Sequence, residues 1–309
     1  NLLYPALYKG RLGGVKNKHM FHQPHIYTVE SVTSGHPDKV CDQISDAILD
    51  ACLEQDPKTR AGIESLGGHG HLTINGEVTT LASFDPAAIA VDLYKEIGYS
   101  DPLEISVKIA KQSPDIAQGV DTGGAGDQGI MYGYATEETE EKLPRGLVLA
   151  HAITKGLEDL RKSGQLPWLG PDGKSQVTTE YGKIKTILVS TQHHESVTQE
   201  EIKQALINYL LKPLVGDLSD VEVLVNPTGV FVQGGFEADA GLTGRKLMVD
   251  NYGGLIPHGG GCFSGKDCTK VDRSATYMAR FAAKNLVANK LAKKALVSVA
   301  YAIGRAEPV

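Results

Sequence analysis

Ser34-Gly35-His36-Pro37-Asp38-Lys39-Val40-Cys41-Asp42-Gln43-Ile44-Ser45-Asp46-Ala47-Ile48-Leu49-Asp50-Ala51-Cys52 is the stretch on which the fold turns. From Asp38 its apolar positions, Val40, Cys41, Ile44, Ala47, Ile48, Ala51 and Cys52, recur at helical spacing, and Asp56-Pro57 closes the run. The spacing predicts an amphipathic helix with both cysteines on its apolar face as core thiols. Downstream the period changes to two. Alternation over Thr59 to Glu64, Glu77 to Ser83 and Leu103 to Ile109 predicts strands with one wet face. A helix from Ala87 to Ile97 opens at Asp85-Pro86, between the second and third of them.

The recipe then repeats. A helix from about Arg145 to Ser163 stops at Gly164, and strands follow near Ser175 to Tyr181 and Ile184 to Gln192. The next helix starts at Thr198 with Glu201 three residues on, a capping box, and carries a stripe of Ile202, Ala205, Leu206, Tyr209 and Leu210. After the turn Asn226-Pro227-Thr228-Gly229, a third block holds a helix near Val271 to Leu291 and a strand at Ala295 to Ile303. One helix and one strand are too little for a complete domain. Residues 1 to 19 hold Lys9, Arg11, Lys16 and Lys18 but no acid and no clear period, and are expected to be a tail or tag. The domains are expected at residues 22–121, 124–232 and 234–309.

Composition excludes several classes. Among 309 residues, 31 basic against 37 acidic side chains leave a formal charge of −6, which disfavours a nucleic-acid partner. No run approaches the roughly 18 apolar residues of a membrane helix, and the N-terminal stretch lacks the order of a secretory signal. Cys41, Cys52, Cys262 and Cys268 form no C-x-x-C pair, which fits a reducing cytoplasm. The anomaly is glycine: 35 residues, about 11% against a usual 7% or so.

The glycines lie in the candidate motifs. In Ser34 to Lys39, Pro37 takes the opening helical position, so free N–H groups and a partial positive charge there suit a phosphate; Asp38 could equally be a plain helix N-terminal charge. Gly260-Gly261-Cys262-Phe263-Ser264-Gly265-Lys266 satisfies the G-x-x-x-x-G-K part of a P-loop, but Asp267 stands where a Ser or Thr is needed. Gly124 to Gly129 is a formal G-x-G-x-x-G followed by strand-like Ile130-Met131-Tyr132, whereas a dinucleotide fingerprint must open a helix. Lys174, Arg245, Lys246, Lys266 and Lys270 each sit beside a turn signal or glycine, with Asp172 near Lys174 and Asp272 near Lys270. Singly each reads as a solvated cation; together they suggest a polyphosphate held by cations and carboxylate-bound magnesium.

Seven ordered motifs carry a resemblance: residues 35–39, 111–116, 124–129, 171–177, 241–246, 258–267 and 270–274, beginning with Gly-His-Pro-Asp-Lys and ending with Lys-Val-Asp-Arg-Ser. From about Ile26 to Pro308 the chain closely resembles the S-adenosylmethionine synthase family. The resemblance implies an α/β (α+β) fold of three similar mixed-sheet-plus-helix domains in a pseudo-threefold arrangement, the C-terminal one incomplete in this chain. It implies ATP and L-methionine as substrates, with two magnesium ions per site and potassium. His36, Lys174, Arg245, Lys246, Lys266 and Lys270 match catalytic positions, Asp38 and Asp272 magnesium carboxylates, and Glu64 the potassium site. Glu77, Gln112 and Asp239 match methionine positions, and Asp127, Asp172 and Phe231 positions near methionine, the nucleoside or the adenine face. Phe231 also reads as an ordinary core aromatic on a strand. Family sites lie between subunits, which implies a homodimer or a dimer of dimers. The segments between Tyr99 and Leu103 and between Val120-Asp121 and Gly124 are shorter than the family's. Gln112 to Gly129, with five glycines in 18 residues, is expected to gate the site.

Overall fold

The computed structural model describes residues 24–111 and 123–309. The expected tail at 1 to 19, Gln112 and most of the expected gating stretch lie outside the described residues. In chain order the first elements are β1 (Ile26–Val32), α1 (Pro37–Gln55), β2 (Arg60–Gly68), β3 (His71–Thr79), α2 (Pro86–Ile97) and β4 (Glu104–Ala110). Then come β5 (Gly129–Thr136), α3 (Arg145–Lys162), β6 (Leu169–Glu180), β7 (Lys183–His193) and α4 (Gln199–Leu206), which runs through a π turn (Ile207–Leu211) into α5 (Lys212–Val215). The last are β8 (Glu222–Val225), α6 (Gly235–Ala238), β9 (Gly241–Leu242), α7 (Leu247–Asp250), α8 (Val271–Ala288) and β10 (Lys294–Tyr301).

Three sheets backed by helices make three mixed α/β domains: β4-β3-β2-β9, β1-β6-β7-β8 and β10-β5. In the first, Val40, Cys41, Ile44, Ile48 and Cys52 of α1 pack on Ala61, Ile63, Leu72 and Ile74. Burying each Val, Ile and Leu side chain among them is worth roughly 1.5–3 kcal/mol. In the second, Leu147, Ile153 and Leu157 of α3 meet Val29, Val177 and Ile187. The third has small clusters, among them Ala135, Ala283, Val287 and Ala295. Each contiguous block lends a strand to a neighbour: β1 pairs with β6, β5 with β10, and β9 with β2. The third sheet thereby gains a second strand, so the sequence pattern of one helix and one strand understates it.

Two local expectations shift. The strand expected at Glu77 to Ser83 runs from His71 to Thr79, because His69 and Gly70, with φ of 52° and 78°, close a two-residue hairpin without an Asn-Gly signature. The stripe on α4 is also re-phased. Ile202, Leu206, Leu210 and Leu211 are buried while Tyr209 is exposed, since the π turn adds a residue before the helix resumes. The capping box at Thr198 and Glu201 forms as expected.

Candidate active site

The start of α1 lies where all three blocks converge. A Cβ added to Gly35 would fall 2.4 Å from the Pro171 carbonyl oxygen of β6, and one added to Gly241 of β9 would fall 2.1 Å from the Pro37 carbonyl oxygen. Only glycine permits approaches this close. His36 caps the helix, its Nδ1 accepting from the Asp38 N–H at 3.2 Å, so the neutral ring carries its proton on Nε2. Burial lowers the pKa of His36 to about 3, with Lys246 and Lys174 adding and Asp38 and Asp239 opposing.

Asp38, 1% exposed, accepts from the Leu242 N–H at 2.9 Å and from Lys246 Nζ at 2.5 Å, and forms an ion pair with Arg245, whose Nε lies 3.3 Å away. Burial would raise its pKa, but the Lys246 and Leu242 hydrogen bonds hold it below the usual carboxylate value. Asp172, at the start of β6, is buried; its Oδ2 accepts from the Gly235 N–H at 2.9 Å, and its Oδ1 finds no hydrogen-bond partner among the described residues. Burial raises its pKa to about 6. Lys174 lies within β6, a strand rather than a loop, and is exposed.

A second group lies along residues 261–272. Lys266 Nζ binds Asp272 at 2.7 Å, while Lys270 Nζ binds Asp267 at 2.7 Å, so Lys270 does not take the neighbouring Asp272 as its partner. Burial would lower the Lys266 pKa, but Asp272 pulls it above the usual value. Lys266 opens no helix: Asp267–Lys270 intervene and α8 starts at Val271, which removes the P-loop. Gly129 likewise opens β5, not a helix.

Of the other expected residues, Asp239 acts on both His36 and Asp172, and the rest are scattered. Glu64 on β2 and Glu77 on β3 alternate with Ile63, Ser65 and Val78, and so project from the sheet face opposite α1. Asp127 is exposed, its Oδ1 accepting from the Gln128 N–H. Asp239 is exposed beyond α6. Phe231 lies outside any strand and belongs to none of the buried clusters; its N–H donates to His193 Nε2 at 3.1 Å.

Three matches cover nearly the whole chain: the S-adenosylmethionine synthetase N-terminal domain over residues 24–119, the central domain over 122–231 and the C-terminal domain over 233–309. The chain belongs to the S-adenosylmethionine synthetase family. It is 52% identical to the S-adenosylmethionine synthase of Wolinella succinogenes and 51% to that of Sulfurovum sp. (strain NBC37-1), in each case covering 92% of this chain and 79% of the relative. The S-adenosylmethionine synthase of Petrotoga mobilis is 47% identical, covering 92% of this chain and 80% of its own length.

Sequence reasoning missed other carboxylates that the structure ties to the loops carrying the candidate cations. Asp42 accepts from the Gly244 N–H at 2.8 Å and from Lys39 at 3.0 Å, and Asp46 accepts from the Gly265 N–H at 2.9 Å and pairs with Arg273. Asp267, buried, accepts from the Ala61 N–H at 2.8 Å besides Lys270. The signal for the first two was the four-residue spacing from Asp38, which puts all three acids on one face of α1. Asp267 stood out in the sequence only as the residue that breaks the P-loop pattern and as the end of the 258–267 motif.

Proposed function

We propose that the chain makes S-adenosyl-L-methionine from ATP and L-methionine. The thioether sulfur forms a bond to C5′ of ATP, the bond from C5′ to the triphosphate oxygen breaks, and the released tripolyphosphate is hydrolysed with water to pyrophosphate and phosphate. The observation that carries this reading is a neutral, buried His36 at a helix start, with Lys246 and Lys174 acting on it and Asp38 beside it paired to Lys246 and Arg245. A thioether has no proton to lose, so no general base is needed, and catalysis falls on charge developing at the leaving oxygen. The His36 Nε2–H donates to that oxygen, and Lys174, Arg245, Lys246, Lys266 and Lys270 hold the departing anion. Glu77, Gln112 and Asp239 are proposed to hold methionine. Asp127, Asp172 and Phe231 are proposed around the nucleoside, where the unpartnered Oδ1 of Asp172 suits a hydroxyl or amino donor.

Among the described residues no three His, Cys, Asp or Glu side chains form a protein-only metal cage. Asp38 and Asp272 each carry one ammonium instead, and single carboxylates of this kind suit magnesium ions shared with substrate phosphates. Two magnesium ions at Asp38 and Asp272 and potassium at Glu64 are the proposed set; bound magnesium would neutralise charge on the polyphosphate. Glu64 and Glu77 face away from α1, which supports a site completed by a second copy, as a homodimer or dimer of dimers. Domain limits at 22–121, 124–232 and 234–309 are proposed with it. Among the described residues no helix is long and apolar enough to cross a membrane, and all four cysteines are free, which supports a cytoplasmic setting.

The test is product identity. With ATP, methionine, magnesium and potassium, mass detection should find S-adenosylmethionine; ADP as the sole nucleoside product would overturn the reading. His36→Asn should lower kcat on the order of 10²-fold with little change in the ATP KM, because its hydrogen bond strengthens in the transition state. A normal kcat with a raised KM would remove His36 from that role.

A further inference from the structure

We infer that Asp46 and Arg273 are positioning residues that set Lys266 against the reacting phosphates. The inference rests on the proposed role of Lys266. Arg273 binds Asp46 as a fork, Nη1 to Oδ1 at 2.7 Å and Nη2 to Oδ2 at 3.1 Å. The same Nη1 donates to the Lys266 carbonyl at 3.2 Å, and Asp46 Oδ1 also accepts from the Gly265 N–H at 2.9 Å. The peptide group that precedes Gly265 and the one that follows Lys266 are therefore both tied to one ion pair, and the planar guanidinium fixes its direction. Arg273 Nε donates to Tyr277 Oη at 3.1 Å, which holds the guanidinium from the α8 side.

The fork also sets a distance. Asp38, Asp42 and Asp46 stand one turn apart on α1, and each accepts a backbone N–H from the C-terminal block: Leu242, Gly244 and Gly265. The first of these contacts adjoins Arg245 and Lys246, and the last adjoins Lys266. A rigid helix thereby spaces Lys246 from Lys266, the two lysines proposed on one polyphosphate. Neither Asp46 nor Arg273 needs to touch the substrate; their work is done through Lys266.

A double-mutant cycle tests this. Asp46→Asn keeps an oxygen for the Gly265 N–H but loses the charge; Arg273→Lys keeps the charge but loses the fork. Each should lower kcat for S-adenosylmethionine formation on the order of 10-fold to 100-fold, with the ATP KM and thermal midpoint little changed. In a Lys266→Ala background neither should lower kcat further. An equal loss in both backgrounds, or no loss in the parent, overturns the inference. Failure of both single variants to fold would assign the fork to stability alone and also overturn it. If Lys266→Ala itself leaves kcat unchanged, the proposed role of Lys266 fails instead.

Discussion

Asp172 shows how one residue can be tuned by its surroundings against the stability of the fold. Burial holds its folded pKa at about 6 against an ordinary 3.8, with Lys174 and the Gly235 and Gly173 N–H groups opposing and Asp239 reinforcing. Between those pH values the folded chain binds a proton that the unfolded chain releases. The stability from this group is thus fully present below pH 3.8 and lost as pH rises through about 6. Asp172→Asn keeps an acceptor for Gly235 and removes the titration. The variant should be more stable than the parent at pH 8, by on the order of 2–3 kcal/mol, with the gain vanishing near pH 4. Thermal midpoints across that range check it; equal midpoints at pH 8 would reject the raised pKa. The same substitution should raise the ATP KM, a trade of binding for stability. Sequence marked Asp172 as a site candidate but not its charge state, because neighbours such as Gly235 and Tyr99 are far along the chain.

At the scale of elements, spacing along the chain was a good guide wherever a local cap closed the element. His36 with Pro37 opens α1, Asp85 with Pro86 opens α2, and the Thr198–Glu201 box opens α4. It failed where one residue changes the phase, at the His69-Gly70 hairpin and at the π turn. How tightly elements pack was also not legible. In the third domain a Cβ added to Gly133 of β5 would fall 2.0 Å from the Ala279 carbonyl carbon of α8, within a face of small residues at Ala275, Ala279 and Ala283. Gly133→Ala should push β5 from α8 and cost about 1–3 kcal/mol or more, read from the denaturation midpoint. An unchanged midpoint would show that the strand and helix part freely.

At the scale of the molecule, the strand exchange ties the three blocks together. β1 leaves the first block to pair with β6 from Ile26↔Glu180 to Val32↔Lys174, and the first sheet takes β9 in return from the third block. A fragment of residues 24–119 keeps β1 without its partner and lacks both β9 and the N–H groups that satisfy Asp38, Asp42 and Asp46. An unpartnered strand and unpaired carboxylates should leave it unfolded in isolation. Circular dichroism checks this, and a cooperative transition with native-like helix content would refute it. The sequence by itself determined the period of the long helices α1, α2, α3 and α8 and of most strands, the start of α1 and the ordered motifs that place the chain in its family. Those properties depend on neighbours within a few residues. Only the tertiary structure decided which sheet each strand joins, that Lys270 binds Asp267 and Lys266 binds Asp272, and that His36 stays neutral. Each of these depends on a low-dielectric environment or a pairing register, and both arise only when Pro171, Leu242 and Gly265 close around α1.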